Sequence, residues 1–164
     1  MNNELVSIIT PMYNGERFVD QTIKSVLAQT YPYWEMLIVD DGSKDSSPEI
    51  ARTYSVNESR IRLIQQPNAG SAAARNNALR HAKGKFICFL DADDLWDSEF
   101  LSRQIAFIKE KDVALVYASY RRIDERGNEI LKPFIVPKRV NYKGLLKTCS
   151  ISCLTALFDR EKTG

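Results

Sequence analysis

The stretch "FICFLDADDLW" (residues 86–96) decides the fold and poses the functional question. Its first half, Phe86 to Leu90, is apolar at every position, so a strand there has both faces covered. Such strands lie in the middle of parallel sheets flanked by helices. The run then ends in Asp91, Ala92, Asp93 and Asp94 before turning apolar again at Leu95 and Trp96. Carboxylates this close resist ionising together unless a cation lies near them.

Working outward, the upstream chain repeats the same alternation. "LVSII" (5–9) is a strand that stops at Thr10-Pro11, and "MLIVD" (36–40) and "IRLIQ" (61–65) are two more. Between them, Phe18, Val19, Ile23, Val26 and Leu27 recur at helical spacing over 17–28, and Ser47-Pro48 opens a second helix. "SAAARNNALRHAKG" (71–84) predicts a third, with Ala73, Ala74, Ala78 and Ala82 available for close packing and Gly84 as its cap. Strand and helix in strict alternation predict right-handed crossovers and an α/β fold: an open, mostly parallel, doubly wound sheet with helices on both faces. Downstream, the pattern predicts a helix over 98–110, a strand at "VALVY" (113–117) and a hairpin in "YRRIDERGNEILKP" turning at Arg126-Gly127-Asn128. A helical piece at Tyr142–Leu146 and a strand at "CLTALF" (153–158) follow.

The 164 residues suit a single domain, and their net charge of +2 is too small to point to nucleic acid, which is not expected as a partner. Neither a signal peptide nor an apolar run of about 18–20 residues is visible. The cysteines are Cys88, within a strand pattern, and Cys149 and Cys153, spaced C-x3-C beside a single His in the whole chain. A zinc site is not expected from that set, and reduced thiols in a cytoplasmic setting are the default. His81 sits between Arg80 and Lys83 and reads as a bystander.

In open α/β sheets, ligands bind beyond the carboxyl ends of the strands. Four strands here end in "TPMYNG", "DDGS", "QPNAGS" and "DADD", all delivered to one edge. In an extended segment Asp91 and Asp93 share a side. Their hard oxygen ligands suit Mg2+ or Mn2+, which keep waters and bridge to phosphates. A solvated acidic turn before a helix capped by Asp97 or Ser98 is the plain alternative. In "DDGS", Asp40 and Asp41 can accept hydrogen bonds from a base or ribose, and Gly42 permits a tight turn. Tyr13 offers a ring to stack on a base, with Pro11 shaping the same pocket. Asn68 and Gly70 precede a helix N-terminus, which favours anions, and Arg75 lies one turn inside, able to reach a phosphate or a nearby Asp. The dinucleotide fingerprint G-x-G-x-x-G and the phosphate loop G-x-x-x-x-G-K-[ST] are both absent.

The order P-x-Y-N, D-D-G-S, N-x-G-x-x-x-A-R-N and D-A-D-D resembles glycosyltransferase family 2, whose members have the GT-A fold. The likeness covers about the first 100 residues. It implies a donor-binding part at 1–100 and the start of an acceptor-side part at 101–164. It implies an inverting, metal-dependent transfer of a sugar from a nucleotide-diphosphate sugar, a UDP-sugar first, to a saccharide or lipid-linked acceptor in surface polysaccharide synthesis. Pro11 and Tyr13 would border the base, and Asp41 or Asp40 would bond its edge. Asp91 would face ribose or metal, Asp93 would ligate Mn2+ or Mg2+, and Arg75 would sit by the phosphates. A carboxylate base would deprotonate the acceptor hydroxyl. The family's Glu-Asp pair is absent after residue 100, which sets the expectation of a catalytic base C-terminal to Gly164 and of a truncated domain. The implied location is the cytoplasm or the cytoplasmic face of a membrane, with peripheral association of the longer protein. A Mg-dependent nucleotidyltransferase would carry a glycine-rich basic loop after its first strand. A receiver-like module would place its acids there. The chain has "TPMYNGER" instead. A catalytically inactive nucleotide-sugar-binding domain is the remaining alternative.

Overall fold

The computed structural model of the chain describes residues 4–137, 143–144 and 151–163. Among them, β1 (Val6–Met12), α1 (Val19–Leu27), β2 (Trp34–Asp40), α2 (Ser47–Asn57), β3 (Ile61–Gln65), α3 (Ser71–His81) and β4 (Phe86–Phe89) form the alternating half. They are followed by α4 (Phe100–Lys111), β5 (Leu115–Val116), β6 (Leu157–Asp159) and the short α5 (Arg160–Thr163). The strands make one sheet in the order β3-β2-β1-β4-β6-β5. β1 is parallel to β2 and β4, and β2 to β3, while β6 runs antiparallel to β4 and β5. The mostly parallel α/β sheet expected from the sequence is therefore present.

Side-chain alternation sorts the core into two layers. Val6, Ile8, Met36 and Ile38 pack with Val19, Ile23 and Val26 of α1, Ala51 of α2 and Leu101, Ile105 and Ile108 of α4. Ile9, Leu37, Val39 and Ile87 point to the opposite face, against Ala74, Ala78 and Ala82. Larger side chains there would hold α3 away from the sheet. Each buried Ile, Leu or Val contributes roughly 1.5–3 kcal/mol, so the strands, with both faces covered, supply most of the apolar burial.

Several boundaries differ from the sequence expectation. β1 does not stop at Thr10-Pro11; Pro11 lies within it, in register with Val39. The carbonyl of Ile9 accepts from Leu90 N–H on the β4 side, whereas that of Met12 accepts from Asp41 N–H on the β2 side. Pro11 shares the parity of Ile9, so its missing N–H faces the side where β4 has already ended. Gly84 is not the α3 cap, which is Ala82 in extended conformation. Instead Gly84 N–H donates to Ser7 Oγ (2.8 Å), and a Cβ there would lie 2.5 Å from Ser7 N. The strand expected over 113–117 is only Leu115–Val116, and that expected over 153–158 is a 3-10 turn, Cys153–Thr155, followed by β6. Thr155 Oγ1 donates back to Ser152 O (2.8 Å), closing the turn. The hairpin is present: Tyr120 bridges Phe134, Ile123 bridges Glu129, and the turn centres on Gly127 at φ 82°. Apart from Lys143 and Gly144, the helical piece expected at Tyr142–Leu146 lies outside the described residues, as does Cys149. Cys88 is buried and Cys153 exposed, both free thiols. Among the described residues no helix is long and apolar enough to cross a membrane.

Candidate active site

The strand order reverses at β1, which has β2 on one side and β4 on the other. Ligand crevices open at such points, beyond the strand ends. Here a cavity of about 350 Å³ lies between Pro11–Gly15 at the end of β1 and Asp91–Asp93 after β4, with Asp41, Ser71 and Arg75 completing its wall.

The loop after β1 is fastened to the loop after β2 by reciprocal bonds. Asn14 N–H donates to Ser43 Oγ (2.9 Å), Gly15 N–H to Ser47 Oγ (2.8 Å), and Glu16 N–H to Asp45 (3.0 Å). In return, Lys44 N–H donates to Asn14 Oδ1 (2.9 Å) and Ser46 N–H to Glu16 (3.0 Å). Asn14 adopts φ 50°, a conformation Asn tolerates better than most residues. Tyr13 is left half-exposed at the cavity rim.

Asp41 is buried and occupied. It accepts from Ala69 N–H (2.9 Å), Gly70 N–H (2.8 Å) and Gln66 Nε2 (2.7 Å). Burial alone would raise its pKa, but these donors outweigh burial and hold the carboxyl below its usual range. Asp40 accepts from Ser43 N–H (3.0 Å) and Gln65 Nε2 (3.2 Å), closing the turn after β2. Asn68 Nδ2 donates to Asp41 O (2.9 Å). Asp40 and Asn68 therefore organise the neighbouring loops and do not line the cavity, unlike Pro11, Tyr13, Asp41, Arg75, Asp91 and Asp93. Gly42 sits at φ 78°, and a Cβ on it would lie 3.0 Å from Asn68 N.

The acidic turn is not extended, so strand alternation does not apply: Asp94 N–H donates to Asp91 O (3.1 Å), reversing the chain. Asp91 and Asp93 nonetheless line one cavity. The turn is anchored from both sides. Thr22 Oγ1 donates to Ala92 O (2.9 Å), and buried Trp96 donates to Leu154 O (2.8 Å) while stacking on Phe100 at 4.4 Å. Asp97 accepts from Glu99 N–H (3.0 Å) just before α4, but neither Asp97 nor Ser98 caps that helix: its N-cap is Glu99, with no side-chain cap bond.

Arg75 pairs with Asp91 (2.5 Å). Its Nε–H is buried and without a hydrogen-bond partner. α3 has no side-chain cap at its N-terminus, so the first-turn N–H groups remain available where Ser71 meets the cavity. A guanidinium beside an uncapped helix N-terminus on one cavity wall is a setting for an anion. His81 is exposed, bonded to its own helix through Asn77 O (2.9 Å).

Asp94 was not singled out by sequence reading. Burial first, then the Asp93 and Asp91 charges, push its pKa up to about 6. With Asp93 and Phe18 it lines a second cavity of about 560 Å³, walled on the far side by the Tyr120–Ile130 hairpin. Arg17 pairs with Glu125 and ties that hairpin to the loop after β1. Among the described residues no group of three or more His, Cys, Asp or Glu side chains is arranged to hold a metal alone.

Fold and site together define an α/β domain with an anion-seeking cavity and an acidic turn at its switch point. The Glycosyl transferase family 2 model matches residues 7–162, and the chain belongs to that family. It is 40% identical over 161 residues to the putative teichuronic acid biosynthesis glycosyltransferase TuaG of Bacillus subtilis, covering 98% of this chain and 64% of that protein. It is 42% identical over 161 residues to the Escherichia coli UDP-Glc:alpha-D-GlcNAc-diphosphoundecaprenol beta-1,3-glucosyltransferase WfgD, covering 98% and 62%. The chain thus spans about three-fifths of the length of these relatives. Among solved structures, Staphylococcus aureus TarS 1-349 in complex with UDP superposes with a TM-score of 0.74 at 25% identity, covering 94% of this chain and 46% of that one. The fold is of the GT-A type, as the resemblance implied.

Proposed function

We propose that this domain binds a nucleotide-diphosphate sugar, a UDP-sugar first, for inverting transfer to a hydroxyl of a saccharide or lipid-linked acceptor in cell-surface polysaccharide synthesis. The observation that carries the donor reading is that Arg75, the uncapped N-terminus of α3 at Ser71 and Asp93 line one cavity together. Arg75 and the α3 N–H groups would take the diphosphate oxygens. Tyr13 would stack on the base beside Pro11, and Asp41, which lines the same cavity, would bond its edge. Asp40 and Asn68 would act one step removed, by shaping the Asp41 loop.

The residues present fit a divalent cation of the Mg2+ or Mn2+ kind. Such ions take one or two carboxylates and complete their shell with substrate phosphates and water, so a full protein cage is not needed. Asp93 would be the principal ligand, with Asp91 contributing while held by Arg75. The ion would supply charge neutralisation for the departing diphosphate. The relatives' names support the wider reading: TuaG is assigned to teichuronic acid biosynthesis, and WfgD to a UDP-Glc donor and a diphosphoundecaprenol-linked acceptor. We propose the cytoplasm or the cytoplasmic face of a membrane as its location, the setting that a lipid-linked acceptor would require.

The test is calorimetric titration with UDP, GDP and ADP, each with and without Mn2+. UDP binding strengthened by Mn2+ supports the proposal, and no binding of any nucleotide refutes it.

A further inference from the structure

The lipid-linked acceptor proposed above would approach from a membrane surface, and the Asp93–Asp94 cavity, which shares Asp93 and Phe18 with the donor cavity, is a place for it. The hairpin that walls this cavity exposes Ile123, Ile130, Leu131 and Ile135, the last to 72%. Exposed apolar side chains scattered singly are ordinary, but four on one hairpin form a patch. Ile123 and Ile130 line the cavity, while Leu131 and Ile135 lie outside its wall.

The hairpin also carries cations. Residues 120–135 hold four Lys or Arg and three Asp or Glu. On the hairpin, Arg121 pairs with Glu129 (3.0 Å), whereas Arg126 and Lys132 form no ion pair among the described residues. Apolar side chains flanked by unpaired cations are complementary to an anionic lipid surface: the former enter the acyl boundary and the latter meet headgroup phosphates. A second copy of the same patch would set cation against cation, which disfavours self-association.

We propose that hairpin 120–135 docks the domain on anionic lipid and presents the mouth of the Asp93–Asp94 cavity to the membrane. The proposal deepens the lipid-linked acceptor reading and rests on it. The test is flotation of the full chain with vesicles of equal parts phosphatidylglycerol and phosphatidylcholine, against vesicles of phosphatidylcholine alone. UDP binding is measured in parallel. The protein should float with the anionic vesicles, and salt at about 0.5 M should weaken this. Leu131→Asp combined with Ile135→Asp, both at exposed positions, should cut vesicle affinity about tenfold or more while leaving UDP affinity and the circular dichroism spectrum unchanged. Lys132→Glu should weaken binding to the anionic vesicles as well. The proposal is overturned if the wild type binds neither vesicle, if it binds both equally, or if the double variant floats like the wild type. It is also overturned if light scattering shows a dimer that the double variant dissolves. A wild type that binds UDP but neither vesicle rejects the docking surface alone. Vesicle binding without UDP binding supports docking and rejects the donor reading.

Discussion

Removing the Asp41 carboxylate should destabilise the domain measurably, because that group holds the loop that sets α3 in place. It receives Ala69 N–H, Gly70 N–H and the Gln66 amide while itself only 3% exposed. A hydrogen bond to a charged group contributes about 1.5–3 kcal/mol, and a donor left unsatisfied in the interior costs about 1–3 kcal/mol. Ala69 and Gly70 are themselves exposed, so water can replace part of what they lose. That puts the cost of Asp41→Ala near the lower end for each donor, roughly 2–4 kcal/mol in all. With a urea slope of about 2 kcal/mol/M, the unfolding midpoint should fall by roughly 1–2 M. Asp41→Asn keeps one acceptor oxygen and should fall between the variant and the wild type. The pH dependence has a definite sign. The folded carboxyl titrates below its unfolded value of about 3.9, so its stabilisation is present above that pH and lost as the pH falls through the folded value. The gap between wild type and Asp41→Ala should therefore narrow on acidification. A loss under about 0.5 kcal/mol at neutral pH, or a gap that does not narrow in acid, would refute the reasoning.

Three further outcomes follow from the same geometry. Gly84→Ala should destabilise strongly, since the added Cβ would meet backbone at 2.5 Å; a variant that melts within a degree or so of the wild type would exclude that close approach. Arg60 draws Glu58 down to about pKa 2, through the side-chain pair first and its backbone N–H second. Glu58→Gln should accordingly lower thermal stability at neutral pH, and the difference from wild type should disappear as pH falls toward about 2, checked by melts across that range. Arg75→Met should weaken UDP binding by about 1.5–3 kcal/mol, roughly 10- to 150-fold by calorimetry, because a charge-assisted donor to the diphosphate is lost; unchanged affinity would remove Arg75 from the site.

The alternating half of the fold was legible because its apolar runs are cleanly separated by turn residues. What the sequence did not carry was the identity of each strand's neighbours. Pro11 reads as a strand end, yet β4 has already left that side of β1, so the missing N–H costs the ladder nothing. Gly84 reads as a helix cap, yet its role is close approach to β1, a tertiary fact. "CLTALF" reads as continuous strand because its first residues are apolar, but Thr155 turns back on Ser152 and only the end joins the sheet. The strand-end clusters correctly marked the edge where the cavity lies. The sequence could not separate residues that face the cavity from Asp40 and Asn68, which shape it from behind. Nor did it show that Asn14, Ser43, Asp45 and Ser47 clamp two loops distant in sequence. Asp94 stood in plain view in "DADD", and only the packing of the hairpin over it reveals a second, half-buried carboxylate beside Asp93.

The central claim is that Asp93 joins a divalent cation to a bound diphosphate in the cavity between β1 and β4. Its most direct test is UDP affinity with and without Mn2+, measured side by side for the wild type and Asp93→Ala. The expected result is that Mn2+ tightens UDP binding about tenfold or more in the wild type and has no effect in the variant, whose metal-free affinity matches that of the wild type. An equal Mn2+ effect in both proteins, or none in the wild type, would contradict it.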